Sequence, residues 1–238
     1  MKILSIGNSF SSDAHRYIHR LAAGEGVKLK TVNLYIGGCS LRTHYLNMLT
    51  DARKYTIVFN GVSTGFNTSL SEALASDEWD VITLQQASIN SGIYDTYTPY
   101  ITELAAYVRK YCPKAKIMIH QTWAYEDGSQ KLIDLTPFNT ADEMLAAIRD
   151  AYTRAAHEIN ADGIIPAGEA MMAALHGGIQ KIHRDTFHAS LGAGRYLLAL
   201  VWFKTLTGKD ISNNSFAELD EQISDEERKI IIDAVNSI

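Results

Sequence analysis

Five short apolar runs punctuate the chain: Lys2 to Ile6 (KILSI), Thr31 to Ile36 (TVNLYI), Asp80 to Leu84 (DVITL), Lys116 to His120 (KIMIH) and Gly163 to Ala167 (GIIPA). Runs this short, rich in Ile, Val and Leu and bounded by Gly or polar residues, predict strands buried on both faces. Between them the apolar positions change to helical spacing. Ala14, Tyr17, Ile18, Leu21 and Ala22 share one face behind Ser12 as N-cap, with Gly24 as the stop. Ile101, Leu104, Ala105, Val108 and Tyr111 mark another helix that Pro113 ends. Thr140 to Glu143 reads as a capping box opening a long helix with Ala141, Met144, Leu145, Ile148, Tyr152, Ala155 and Ile159 inside. Ser224 to Glu227 opens the last helix in the same way. A short helix around His44 is expected to cover Leu46 and Leu49. Tyr55 to Asn60 is strand-like, and the Asn-Gly-Val-Ser-Thr-Gly that follows suits a hairpin turn.

Strands alternating with helices predict a parallel sheet covered on both faces. The expected fold is a three-layer α/β/α sandwich with a five-stranded parallel sheet, one domain over residues 1–238. Composition agrees with a globular chain: 46% hydrophobic and 21% charged residues. A net charge of −5 argues against a nucleic-acid or anionic-membrane surface as partner. No apolar stretch is long enough to span a bilayer. The first residues reach Gly7 and Asn8 before the apolar core of a secretory leader could form, so a cytoplasmic location is the expectation. The two cysteines, Cys39 and Cys112, offer neither a disulfide framework nor a metal-ligand spacing. No cofactor and no metal are expected.

In such sheets functional groups gather at the carboxyl ends of the strands. Taken in order, those ends carry Ser9, Gly37-Gly38, Gln85-Gln86, the loop of Trp123, and finally Asp185-Thr186-Phe187-His188. Ser9 sits on a strand-to-helix turn near the positive end of a helix dipole. An Asp three residues before a His can reach Nδ1 within one turn and fix the tautomer. Nε2 is then free to take the serine proton. These are the parts of a serine hydrolase.

Through ILSIGNSFS, GGCSL with His44, WDVITLQQAS and DTFHASLGAGRYLLA, the chain resembles the SGNH (GDSL-like) hydrolases. It resembles more closely a branch known only as a domain of unknown function. The resemblance implies a flavodoxin-like fold and hydrolysis of small esters through an acyl-enzyme, with an O-acetylated carbohydrate as the favoured substrate. By position it makes Ser9 the nucleophile, His188 the base, Asp185 the orienting acid, and the Ser9 and Gly38 N–H groups oxyanion donors. The usual Gly-x-Asn-Asp block is replaced by Gln85-Gln86-Ala87-Ser88, so Ala87 stands where an asparagine would donate. Gln85 is the expected substitute donor, with Gln86 the alternative. Asn8, which replaces the Asp of the GDSL signature, His44 and Trp123 are candidate substrate contacts. Trp123 and Tyr125 either wall a sugar or acyl group or pack the sheet edge.

Rival chemistries are weaker. Gly61-Val62-Ser63-Thr64-Gly65 matches the nucleophile elbow, yet the polar residues after it do not form the required long helix. His15 and His19 stand four apart on a helix without the Glu a metalloprotease motif needs, and a solvated face is expected for them. His176 and His183 are expected at the surface, and Cys39 is expected to be a small buried residue. A binding module that kept the fold and lost the chemistry is the alternative function. The full set of Ser, Gly, Asp and His argues against it.

Overall fold

The computed structural model describes residues 1–238. The five apolar runs form strands β1 (Lys2–Gly7), β2 (Lys30–Tyr35), β5 (Val81–Leu84), β6 (Lys116–Gln121) and β7 (Gly163–Pro166). All their mutual pairings are parallel. The sheet nevertheless has seven strands and is mixed, which corrects the expectation of five parallel ones. Two antiparallel strands, β3 (Tyr55–Phe59) and β4 (Val62–Thr68), extend it beyond β2. The order is β4-β3-β2-β1-β5-β6-β7. Asn60 and Gly61 join the added pair with φ of 47° and 75°, the left-handed geometry that a tight hairpin demands.

The helices are α1 (Ser9–Gly24), α2 (Leu41–Thr50), α3 (Leu70–Ala75), α4 (Tyr100–Tyr111), α5 (Gln130–Leu135), α6 (Ala141–Glu158), α7 (Ala167–His176), α8 (Ala193–Thr207) and α9 (Asp225–Asn236). On one face of the sheet α1, α7, α8 and α9 pack on one another. On the other, α2, α3 and α4 do so, with α6 against β6 and β7. The predicted stripe of α1 is buried as expected, from Ala14 to Ala22. Each large apolar side chain so buried contributes about 1.5–3 kcal/mol before entropy is counted. The buried face of α2 is Leu41, His44 and Asn47, while Leu46 and Leu49 are exposed, the reverse of the expectation.

From β1 the chain crosses to β2 on one side, and β5 pairs with β1 on the other. The carboxyl end of β1 is therefore the point where strand order reverses, the place where such sheets form their ligand crevice. Ser9, the loop after β2 and the loop after β5 all meet at it. At the opposite, amino-terminal ends of the strands lies a hollow of about 900 Å³ lined by Lys2, Trp79, Asp80, Lys116 and Asp162 among others. None of the predicted site residues reaches it.

Candidate active site

Ser9 is the first residue of α1, capped by Asn8, whose Oδ1 accepts from Phe10 N at 3.0 Å. Its backbone N–H is thus one of the helix donors without an intrahelical partner, at the positive end of the dipole. No group of the protein accepts from it, nor from the N–H of Gly38, which lies in the exposed loop after β2 with φ +62°. The Ser9 hydroxyl lies 2.8 Å from His188 Nε2. His188 Nδ1 lies 2.8 Å from Asp185 Oδ2, and the other carboxylate oxygen accepts His188 N at 2.9 Å. With Nδ1 donating to a carboxylate, Nε2 is left to accept from the serine. Burial pushes the Asp185 carboxyl upward. Hydrogen bonds from the His188 ring and backbone, with the charges of His188 and Arg184, outweigh that and hold it below the ordinary value.

The loop carrying His188 is braced on three sides. Phe187 lies against the imidazole with ring centroids 3.9 Å apart, and the Lys131 ammonium rests 3.5 Å over the Phe187 ring. Trp123 donates from Nε1 to Phe187 O at 2.7 Å and stacks on Phe10 at 4.1 Å. Glu126 N donates to Thr186 O at 2.7 Å, fixing a residue held at φ +71°. Trp123 is only 1% exposed, so it packs beneath the loop rather than standing open at the surface. Tyr125 is buried too, its hydroxyl paired with Ser88 at 2.9 Å.

Four further candidates change role. Gln85 does not face the crevice as a donor: its amide donates to Asn8 Oδ1 at 2.7 Å, and its carbonyl accepts from Ser11 Oγ and from His120 Nδ1. The residue is 2% exposed, so an oxyanion would find that amide already engaged. Gln86 is engaged as well, with Leu41 N, Ala87 N and Thr96. Asn8 is buried rather than substrate-facing. It joins the Ser9 turn to the Gly38 loop by donating from Nδ2 to Cys39 O at 3.2 Å. His44 is wholly buried, paired through Nδ1 with Tyr55 Oη at 3.1 Å, and it supports α2 and β3 from inside. Desolvation holds His44 down at about 3 and pushes the Cys39 thiol up to about 12.

The histidines expected at the surface divide. His15 is buried, its Nε2 2.9 Å from Ser5 Oγ, and burial lowers it to about 3. His120, a strand residue as expected and lying beneath Gln85, is also brought to about 3 by burial with a contribution from His15. His183 is buried and lowered to about 4 by the same cause, with Nε2 on Ala124 O at 3.1 Å. His19 is half-buried and His176 is exposed. Ser63, of the rival motif, lies exposed on edge strand β4 opposite Val58.

The family model described as "Domain of unknown function (DUF4886)" matches residues 2–237. The crystal structure of a DUF4886 family protein from Bacteroides uniformis is 34% identical and superposes with a TM-score of 0.92, covering 100% of this chain and 93% of that one. More distant structures share the fold. TesA is 15% identical with a TM-score of 0.56 over 87% of this chain and 99% of its own. The psychrotrophic esterase EstA from Pseudoalteromonas sp. is 13% identical with a TM-score of 0.56, over 87% and 97%. A family 3 carbohydrate esterase from Clostridium thermocellum is 13% identical with a TM-score of 0.51, over 86% and 94%. No curated protein matches the sequence.

Proposed function

The chain belongs to the DUF4886 family and has the fold of the GDSL-like (SGNH) hydrolases, and from this we propose that it is a serine ester hydrolase working through an acyl-enzyme. The observation that carries the reading is the continuous hydrogen-bonded line from Asp185 through His188 to Ser9, each link 2.8 Å long. In the first half-reaction the Ser9 oxygen attacks the ester carbonyl while His188 Nε2 takes its proton. Negative charge gathers on the former carbonyl oxygen, where the free N–H groups of Ser9 and Gly38 and the dipole of α1 stabilise it. Collapse expels the alcohol, which receives the proton from His188. A water then repeats the sequence against the acyl-enzyme, with His188 again the base. Asp185 keeps Nδ1 protonated and stabilises the imidazolium formed at each step. The hole in this reading has two donors, because Gln85 and Gln86 are committed elsewhere.

The substrate we propose is an ester with a short acyl group, an acetyl on a carbohydrate being the favoured case. Phe10 and Trp123 fill the space between the His188 loop and the sheet, which favours an acyl group of very few carbons. A carbohydrate as the alcohol is favoured because a family 3 carbohydrate esterase shares this fold. A series of p-nitrophenyl esters from acetate to octanoate, run beside acetylated sugars, tests this. The expected kcat/KM is highest for acetate and falls with chain length, with acetate released from at least one acetylated sugar. Highest activity on octanoate would contradict the acyl assignment, and no hydrolysis of any ester would contradict the function.

A further inference from the structure

Asp13 is a carboxylate only 1% exposed, one helical turn beyond Ser9 on α1, and the reaction just described makes no use of it. Residues four apart lie on one helix face, so the serine and this carboxylate share a side of α1. Its partners come from the far end of the sequence. Arg184 Nη1 donates to Oδ1 at 2.9 Å and to Oδ2 at 3.0 Å. Ala189 N donates to Oδ2 at 3.2 Å, and Arg195 Nε donates to Oδ1 at 2.9 Å. Arg184 also donates to Ala189 O, and Arg184 N donates to His188 O at 3.0 Å. Arg184 immediately precedes Asp185, and Ala189 immediately follows His188. One buried carboxylate therefore grips both residues flanking the acid and the base while standing on the helix that presents the serine.

We propose that Asp13 is a positioning residue for the catalytic unit, setting the distance and orientation of His188 relative to Ser9. The proposal rests on the hydrolase reading above. The nucleophile reaches Asp13 through one turn of rigid helix, and the base reaches it through two hydrogen-bonded neighbours, so both are referenced to the same group. Phe187 and Trp123 support the loop from below but fix no point on α1 near the serine by hydrogen bonding. A shift of about 1 Å between nucleophile and base can cost on the order of 10²-fold in rate. Farther out, Arg195 continues to Asp220 at 2.8 Å and Asp220 to Arg16 at 2.7 Å, and these outer links touch no residue of the His188 loop.

Asp13→Asn, Arg184→Ala and the outer control Asp220→Asn separate positioning from plain stability. Each is assayed with p-nitrophenyl acetate well below its own Tm, and the His188 Nδ1 proton is followed by NMR. Asp13→Asn is expected to lower kcat by about tenfold or more with KM within about threefold, and to weaken the Nδ1 proton signal. Arg184→Ala should move both readouts in the same direction by less. Asp220→Asn should lower Tm while leaving kcat within about twofold. If Asp13→Asn lowers Tm but leaves kcat and the NMR signal of wild type, the proposal is overturned. If Asp13→Asn does not fold, Arg184→Ala decides by the same two readouts. Should the wild type hydrolyse no ester, the hydrolase reading fails by itself. The Nδ1 signal then decides alone, and its persistence in the variants overturns the positioning role.

Discussion

Two serines in this chain follow a glycine-bearing turn, and their surroundings could hardly differ more. Ser9 leaves β1 directly into a 16-residue helix, in a turn so close that a Cβ on Gly7 would lie 2.2 Å from Ser11 Oγ. Beneath it lies a continuous polar layer: Asn8, Gln85, His120 and Ser11 bond to one another and leave the serine hydroxyl directed at His188. Ser63 follows an equally tight turn, where a Cβ on Gly61 would lie 2.7 Å from Arg16 Cα, but that turn leads into an exposed edge strand. No histidine lies within hydrogen-bonding reach of Ser63, and no helix dipole points at it. A short glycine-serine motif says that a tight turn is present. Only what the chain does after the turn, and what meets it from a distance, gives the serine chemistry.

The largest effect that would sharpen this contrast is on turnover. Ser9→Ala should reduce kcat on p-nitrophenyl acetate by roughly 10⁴-fold or more, as for loss of a triad nucleophile. Ser63→Ala should leave it within about twofold. Next in size is the coupling behind Ser9. His188→Ala and Asp185→Asn should each lower kcat by about 10²-fold or more, and the double variant should be little worse than His188→Ala alone, since members of one unit are not additive. Losses that multiply would mean that the two act separately.

A smaller effect belongs to the polar layer. Gln85→Ala removes the partner of Asn8, Ser11 and His120, each of them buried. It should destabilise the protein by about 1–3 kcal/mol, seen as a lower urea midpoint. The kcat loss should stay near tenfold, below that of an oxyanion donor; a 10²-fold kcat loss with full stability would return Gln85 to the hole. Smaller still is an acid effect. Burial keeps His15 and His120 neutral in the folded protein down to about 3, while the unfolded chain takes up these protons near the ordinary imidazole value of about 6.5. Between those values the unfolded state binds more protons, so stability is full above that range and falls as pH drops through it. A urea midpoint lower at pH 5 than at pH 7 is the expected result, and equal midpoints would contradict it.

Much of this was legible in the sequence, for identifiable reasons. The parallel strands announce themselves because strands buried on both faces read as near-continuous apolar runs, and even the half-buried edge strand β7 keeps such a run. Strand β4 (VSTGFNT) does not, because an edge strand with six of its seven residues exposed has no apolar pattern to display. The Ser, Gly and Asp-x-x-His positions can be read because strand ends bring them together in any such sheet. The direction each neighbour faces cannot be read this way. Asn8, His44 and Trp123 sit at the right places and point inward, since a polar or aromatic side chain at a strand end fits a crevice or a core equally well. The role of Asp13 is not legible in the sequence because its partner Arg184 stands 171 residues away. The one local sign was a charge one turn after Ser9 and one turn before Tyr17, bordering an otherwise apolar face.

On this reading Ser9, and no other serine, is activated by His188. The most direct test is to treat the folded protein with a fluorophosphonate and map the adduct by peptide mass spectrometry. One adduct is expected, on Ser9, forming at least about 10²-fold more slowly in His188→Ala. An adduct on Ser63, or Ser9 labelling as fast without His188 as with it, would mean that His188 does not activate Ser9.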